Sequence, residues 1–229
     1  ITDCLSAIKQ MVYEEQSLSL PSLLHALDEN FQGELDEQPQ EVFRQRLLNH
    51  AAKYGNNNEL ADEMMKRVFN HCVESVDGVP NAKGGSYRAE MLPTTCHVYF
   101  GSVTGATPDG RKAGSPLSEG ISPVQGADRN GPTSVIQSAA KMDHLKTGGT
   151  LLNMRLTPSL VEDENGIDQW ASLVRSYFRL NGHHIQFNVV SAQSLREALE
   201  DPEKYRGLIV RVAGYSDYFL DCSVDLQNE

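Results

Sequence analysis

"LIVRVAGYSDYFLDC", residues 208–222, reads as a strand that meets a glycine and stops. Leu208, Val210 and Val212 alternate with their neighbours, the period of two expected where one face of a strand is buried. Gly214 interrupts that alternation, with Arg211 three residues before it and Tyr215 directly after. Two readings are open on these residues alone. A glycine at a strand end supplies a positive φ or a close backbone approach. Alternatively, the chain uses the glycine for its own Cα–H bond.

Working back from this stretch, strands and helices take turns. "GLIVRVAG" (207–214) follows "SAQSLREALED" (191–201), a helix capped by Ser191, and "HIQFNVV" (184–190), a strand. Before them come "GIDQWASLVRSYFRLNG" (166–182), a helix, "GTLLNMRLTP" (149–158), a strand, and "GPTSVIQSAAKMDHL" (131–145), a helix capped by Thr133. Strands separated by helices of this length predict βαβ units and a parallel sheet or half-barrel, so the fold class is α/β. Residues 77–131 read mostly as loop, with "CHVYFG" (96–101) as a short strand. So long a stretch with little regular structure is uncommon in a compact domain unless it serves or covers a site.

The first third is helical by pattern. "SLPSLLHALDENF" (19–31) has Ser19 as cap, Pro21 in the first turn, and Leu20, Leu23, Leu24 and Leu27 on one face. Val42, Phe43 and Leu47 mark a second helix, and Leu60, Met64, Val68 and Cys72 the stripe of a third. "YGNNN" (54–58) is the loop between them, rich in residues that tolerate left-handed conformations and cap helices. The chain opens in a helix with Thr2 or Asp3 as cap and closes with "SVDLQNE", the start of another. Both ends read as severed, which predicts a piece of a longer polypeptide.

Composition narrows the function. The 229 residues carry a formal charge of −11, so no basic stripe is available for nucleic acid. Apolar runs such as "GLIV" are far too short to span a membrane. Cys4, Cys72, Cys96 and Cys222 lack metal-type spacing and read as reduced thiols in a cytoplasm.

Three motifs invite chemistry and read better as structure. "GATPDGRKAG" (105–114) departs from the phosphate-loop order, because Arg111 precedes Lys112 and Ala113 stands where a hydroxyl is needed. It reads as a loop built on Pro108, Asp109 and Gly110. His183 and His184 are adjacent on a strand and face opposite ways, a poor metal pair. Cys72, with Glu74 two residues on, falls in phase with Met64 and Val68, so it reads as a buried, inert thiol.

"RVAGYSDYF" (211–219) resembles the C-terminal fingerprint of the glycyl radical enzymes, whose pattern is R-V-x-G-[YF]. The stretch "KGGSYRAEMLPTTCHVYFGSVTGATPDGRKAG" with its continuation to residue 144 resembles the segment that precedes the radical domain in the same family. "GGTLLNMRLTPS" (148–159), the stretch 184–215 and "AAKYGNNNELADEM" further back also resemble that family. The resemblance implies the second half of a ten-stranded α/β barrel ending in a glycine-radical loop. Residues 1–82 would be a helical part of the pyruvate formate-lyase-like domain, and 83–229 the barrel part and radical domain. It implies that Gly214 stores the radical, that Arg211 and Val212 lead the strand to it, and that Tyr215 packs beside it. A partner activase with S-adenosylmethionine and an iron–sulfur cluster would install the radical. The resemblance also implies a homodimer, a small-molecule substrate, and a catalytic cysteine in the missing N-terminal portion, followed two residues later by a glutamate. Cys72-Val73-Glu74 imitates that spacing but lies on a helix just before "NAKGG", so the role is not carried over to it.

The motifs are more similar to the dehydratase and C–N lyase branch, acting on glycerol, propane-1,2-diol, hydroxyproline or choline, than to pyruvate formate-lyase. There, a substrate radical expels a leaving group from the neighbouring carbon. Formate C-acetyltransferase activity and a non-catalytic spare-part radical protein are the alternatives.

Overall fold

Apolar residues recurring every three to four positions build the first third from helices. The computed structural model describes residues 1–35, 37–212 and 214–228. α1 (Thr2–Ala7) continues as a π-helix over Ile8–Glu14, and α2 (Leu20–Asp28) starts at Ser19, whose hydroxyl accepts from the Ser22 amide. β1 (Glu34–Leu35) and β2 (Gln38–Pro39) form a small antiparallel pair that leads into α3 (Gln40–Asn49). Met11, Leu23, Ala26, Phe31, Phe43 and Leu47 close one core between them. Leu20, Leu24 and Val42, expected on the inner faces, are exposed. Neither Thr2 nor Asp3 caps α1. Ile1 stands at the N-cap, and the Asp3 carboxylate is buried, accepting the Tyr54 amide at 2.8 Å.

α4 (Glu59–Val76) is capped by Asn58, whose side chain accepts from the Leu60 and Ala61 amides. Its buried stripe is Ala61, Met65, Phe69 and Val73, one residue out of phase with the expected row. Cys72 is consequently exposed rather than packed inside. Both rows are apolar at four-residue spacing, so periodicity does not choose between them; Phe69, larger than Val68, fills the interior with Met65. "CHVYFG", expected as a strand, is helix α5 (Cys96–Ser102). Helical turns satisfy this stretch's backbone within itself, where a strand would need a neighbour to pair with.

α6 (Gly131–Ala139) begins at Asn130, and Thr133 does not cap it. Then come β3 (Leu152–Leu156), α7 (Glu164–Arg179) and β4 (Ile185–Val189). β3 and β4 pair in parallel, with Leu152 opposite Ile185 and Leu156 opposite Val189, so the expected βαβ unit is present. Leu152 and Met154 face a second core with Met65, Phe69, Val73, Val135, Ile136 and Tyr177. Ser191 caps α8 (Ala192–Glu200) by accepting from the Ser194 amide.

β5 (Ile209–Val212) does not extend the β3–β4 ladder. It turns back at Gly214 and pairs antiparallel with β6 (Tyr215–Tyr218), Val212 opposite Tyr215. The short helix α9 (Val224–Gln227) follows. Val210, Val212, Phe219 and Ala198 make a third, small core. The chain is thus α/β, and no described helix is long and apolar enough to cross a membrane.

Candidate functional site at the Gly214 hairpin

Val212, the last residue of β5, stands opposite Tyr215, the first of β6, and so tight a reversal favours positive φ at Gly214. Gly214 has φ +100°, outside the region that side-chain-bearing residues readily adopt. Space is not what demands glycine, because among the described residues an added Cβ would meet Leu151 Cδ1 alone, at an ordinary 3.7 Å. Backbone conformation makes the demand. An alanine here would therefore be strained by its φ rather than by its neighbours.

The four sequence-predicted residues lie together on this hairpin, in different settings. Val212 is buried in the small core, whereas Tyr215, its cross-strand partner, is 48% exposed. Arg211 projects the other way. Its Nε donates to Gln186 Oε1 at 3.0 Å and its Nη1 to Ser216 Oγ at 2.9 Å. Asn188 reaches the Arg211 backbone in both senses at 3.4 Å, accepting from its N–H and donating to its C=O. Side-chain contacts from β4 therefore stand where a strand ladder would have been.

Those contacts exist because β3 and β4 alternate strictly. Leu152, Met154 and Leu156 are buried on one side of the pair. Asn153 and Gln186 sit directly opposite each other in the register, and Arg155 is likewise paired with Asn188. Parallel strands between two apolar layers read as continuous hydrophobic runs. "LNMRL" and "IQFNV" do not, so this ladder presents a polar face, and the hairpin docks on it. Gln186 Nε2 donates to Asn153 Oδ1, and Asn153 Nδ2 donates to the two Glu119 carboxylate oxygens at 2.5 and 2.6 Å. Gln186, Asn153, Asn188 and Glu119 were not singled out from sequence; the alternation is the signal that marks the first three.

The 119–122 loop is held close. Gly120, at φ +52°, leaves no room for a Cβ, which would come within 2.6 Å of the Leu151 carbonyl oxygen. Ile121 N–H donates to that same oxygen at 3.1 Å. Leu151 is also the side chain against Gly214, so loop, strand start and hairpin tip form one contiguous region.

Elsewhere the motifs are structural. The Arg111 guanidinium is buried and donates to the carbonyl oxygens of Thr104, Gly105, Lys112 and Ser115, stitching its own loop. His183 and His184 precede β4, and the His183 ring lies 6.5 Å from that of His144. No group of three or more potential metal ligands occurs among the described residues. All four cysteines are free, and burial pushes the Cys4 and Cys222 thiols up, away from the reactive thiolate.

A family model described as pyruvate formate lyase-like matches residues 1–101, and one described as glycine radical matches residues 117–220. Over its whole length the chain is 52% identical to trans-4-hydroxy-L-proline dehydratase of Clostridioides difficile, covering 28% of it. It is 40% identical to isethionate sulfite-lyase of Bilophila wadsworthia (strain 3_1_6), covering 27% of that protein and all of this chain. The crystal structure of the C. difficile hydroxyproline dehydratase with trans-4-hydroxy-L-proline bound matches all of this chain and 28% of its own, with a TM-score of 0.93. The glycerol-bound B12-independent glycerol dehydratase of Clostridium butyricum, 39% identical, also matches all of this chain and 28% of its own, with a TM-score of 0.92. The chain spans a little over a quarter of the length of these relatives.

Proposed function

This chain belongs to the glycyl radical enzymes, and from that premise we propose that Gly214 is the residue on which the enzyme stores its radical. The observation that carries the proposal is the placement of Gly214: the tip of the tight β5–β6 hairpin, docked on the polar face of a parallel strand pair. Without a Cβ, an α-carbon radical can flatten and delocalise between the neighbouring amide nitrogen and carbonyl. A side chain would crowd that plane. The protein's own work is placement and exclusion of solvent; the stored radical supplies the difficult step.

In this proposal a partner activase, using S-adenosylmethionine and an iron–sulfur cluster, accepts the hydrogen atom removed from Gly214. A cysteine elsewhere in the whole enzyme then gives its hydrogen atom to Gly214. The resulting thiyl takes one from the substrate, whose radical expels a leaving group from the adjacent carbon. The product radical recovers hydrogen from that cysteine, and the thiyl so formed takes back the hydrogen atom it had given to Gly214, which restores the glycyl radical. Relatives named as dehydratases and sulfite-lyases support this chemistry over formate C-acetyl transfer. Identity of 52% to the hydroxyproline dehydratase makes a small hydroxylated amino acid the substrate class to test first. We place the helical part at 1–82 and the barrel and radical part at 83–229, in a reducing cytoplasm that suits four free cysteines.

The test is an anaerobic EPR spectrum of the full-length protein after incubation with activase and S-adenosylmethionine. The expected result is a doublet that collapses on α-deuteration of glycine and is absent in Gly214→Ala. Exposure of the activated protein to air should then cut the backbone at Gly214. A doublet that survives Gly214→Ala would place the radical elsewhere and sink the proposal.

A further inference from the structure

We propose that Glu119, Asn153 and Gln186 are positioning residues, a directional hydrogen-bond relay that sets the attitude of the Gly214 hairpin for radical transfer. This rests on Gly214 being the radical store. The relay joins four segments far apart in sequence: the 119–122 loop, β3, β4 and β5. Its direction is fixed from both ends. The Arg211 guanidinium can only donate, so Gln186 must present Oε1 to its Nε, at 3.0 Å. Gln186 Nε2 then has to face Asn153, where it donates to Oδ1. That leaves Asn153 Nδ2 for the Glu119 carboxylate, whose two oxygens accept at 2.5 and 2.6 Å. Neither amide can flip without setting donor against donor at one end and acceptor against acceptor at the other.

Position within the fold gives the relay its reach. Gln186 is 8% exposed, so water does little to relieve a mis-set amide there. Arg211 passes the constraint on through Ser216 on β6, at 2.9 Å, so both strands of the hairpin are held. At the other end, the Asn153 N–H donates to Ser122 Oγ at 3.0 Å, which ties β3 to the same loop as Glu119. Leu151, the side chain against Gly214, accepts the Ile121 amide through its carbonyl. The loop thus reaches the hairpin twice, by the polar relay and through Leu151. Radical transfer depends steeply on the separation of the exchanging atoms, so a small change of attitude matters.

Reversing the relay tests it. Gln186→Glu still accepts from Arg211, but Asn153 must now turn Nδ2 toward residue 186 and set Oδ1 against the Glu119 carboxylate. Glu119→Gln alone keeps an acceptor for Asn153, so it should lower both readouts less than Gln186→Glu does. Together, the two substitutions let residue 119 donate to Asn153 Oδ1, so the chain is satisfied in the opposite sense. In the activated full-length enzyme we measure loss of trans-4-hydroxy-L-proline per spin-counted glycyl radical, and amide hydrogen exchange over residues 209–218.

Gln186→Glu should lower turnover per radical on the order of 10- to 100-fold. It should also speed exchange in the hairpin roughly tenfold. The double variant should recover most of both, a rescue that a volume or stability effect does not produce. The relay is overturned if Gln186→Glu changes neither readout, or if the double variant is no better than Gln186→Glu. Absence of a radical at Gly214 in the wild type would instead remove the storage reading. Absence of hydroxyproline turnover would remove only that substrate. In either case the exchange pattern alone decides the relay.

Discussion

The body of this chain and its C-terminal glycine unit are held by different forces. In the body, Met65, Phe69, Ile136, Leu152, Met154 and Tyr177, from α4, α6, β3 and α7, interlock in one apolar core. Burial of that kind is non-directional and tolerant of small adjustments. The unit from α8 onward has its own small core, Ala198, Val210, Val212 and Phe219, and meets the β3–β4 pair through Arg211, Gln186 and Asn188. Hydrogen bonds are modest in net strength but strict in geometry. The difference teaches that stability is concentrated in the body, while the attitude of Gly214 is set by a few directional contacts.

Substitutions can break that contrast. The largest effect is expected in the body. Leu152→Ala, at a fully buried β3 position, should cost about 2–5 kcal/mol and lower the cooperative melting transition of the whole protein. Val212→Ala removes two methyl groups from the small core and should cost roughly 1.5 kcal/mol. Faster amide exchange confined to residues 191–228 is the expected signature; loss of protection across the body would merge the two regions into one.

Gly214→Ala should cost about 1–2 kcal/mol, from backbone strain at φ +100° rather than from collision. Thermal denaturation of Gly214→Ala and Gly214→Asn separates the two causes. Asn tolerates positive φ better, so it should be the milder of the pair. Asn188→Ala deletes two long bonds to the Arg211 backbone and should cost on the order of 1 kcal/mol, felt in the hairpin only.

The smallest expected effect is a pH dependence of the body. Burial holds His144 below the ordinary histidine range; its Nδ1 lies 2.8 Å from Thr150 Oγ1, and the Tyr177 and His183 rings flank it. The unfolded chain therefore takes up this proton first. Its contribution to stability is fully present above the ordinary histidine value of about 6.5 and is lost as pH falls through the depressed folded value. Melting temperatures measured downward from neutral pH should fall in the wild type and less steeply in His144→Gln. An equal slope in both would exclude His144 as the cause.

Much of the local structure was legible in the sequence. Ser19 and Ser191 cap the helices they were expected to cap, and the alternation of "LNMRL", helix and "IQFNV" became a parallel βαβ unit. A cap reaches two or three residues along the chain, and strand alternation repeats every two, so both are written in neighbouring residues. Gly214 was marked by its interruption of one such pattern. The α4 stripe was misread by one residue because two adjacent rows are apolar, and only the packing partners select Phe69 over Cys72. The helical form of Cys96–Ser102 and the return of the chain as β6 were also missed, since each depends on whether a pairing strand stands alongside.

Sequence by itself therefore determined most of the element types, most of their order and the glycine at which the chain turns back from β5. Tertiary structure alone decided which face of α4 lies inside, and that Glu119, Asn153, Gln186 and Arg211 meet. Those four come from segments separated by 25 to 34 residues. No local period links positions so far apart; only the parallel pairing of β3 with β4, and the turn at Gly214, bring their side chains onto one face.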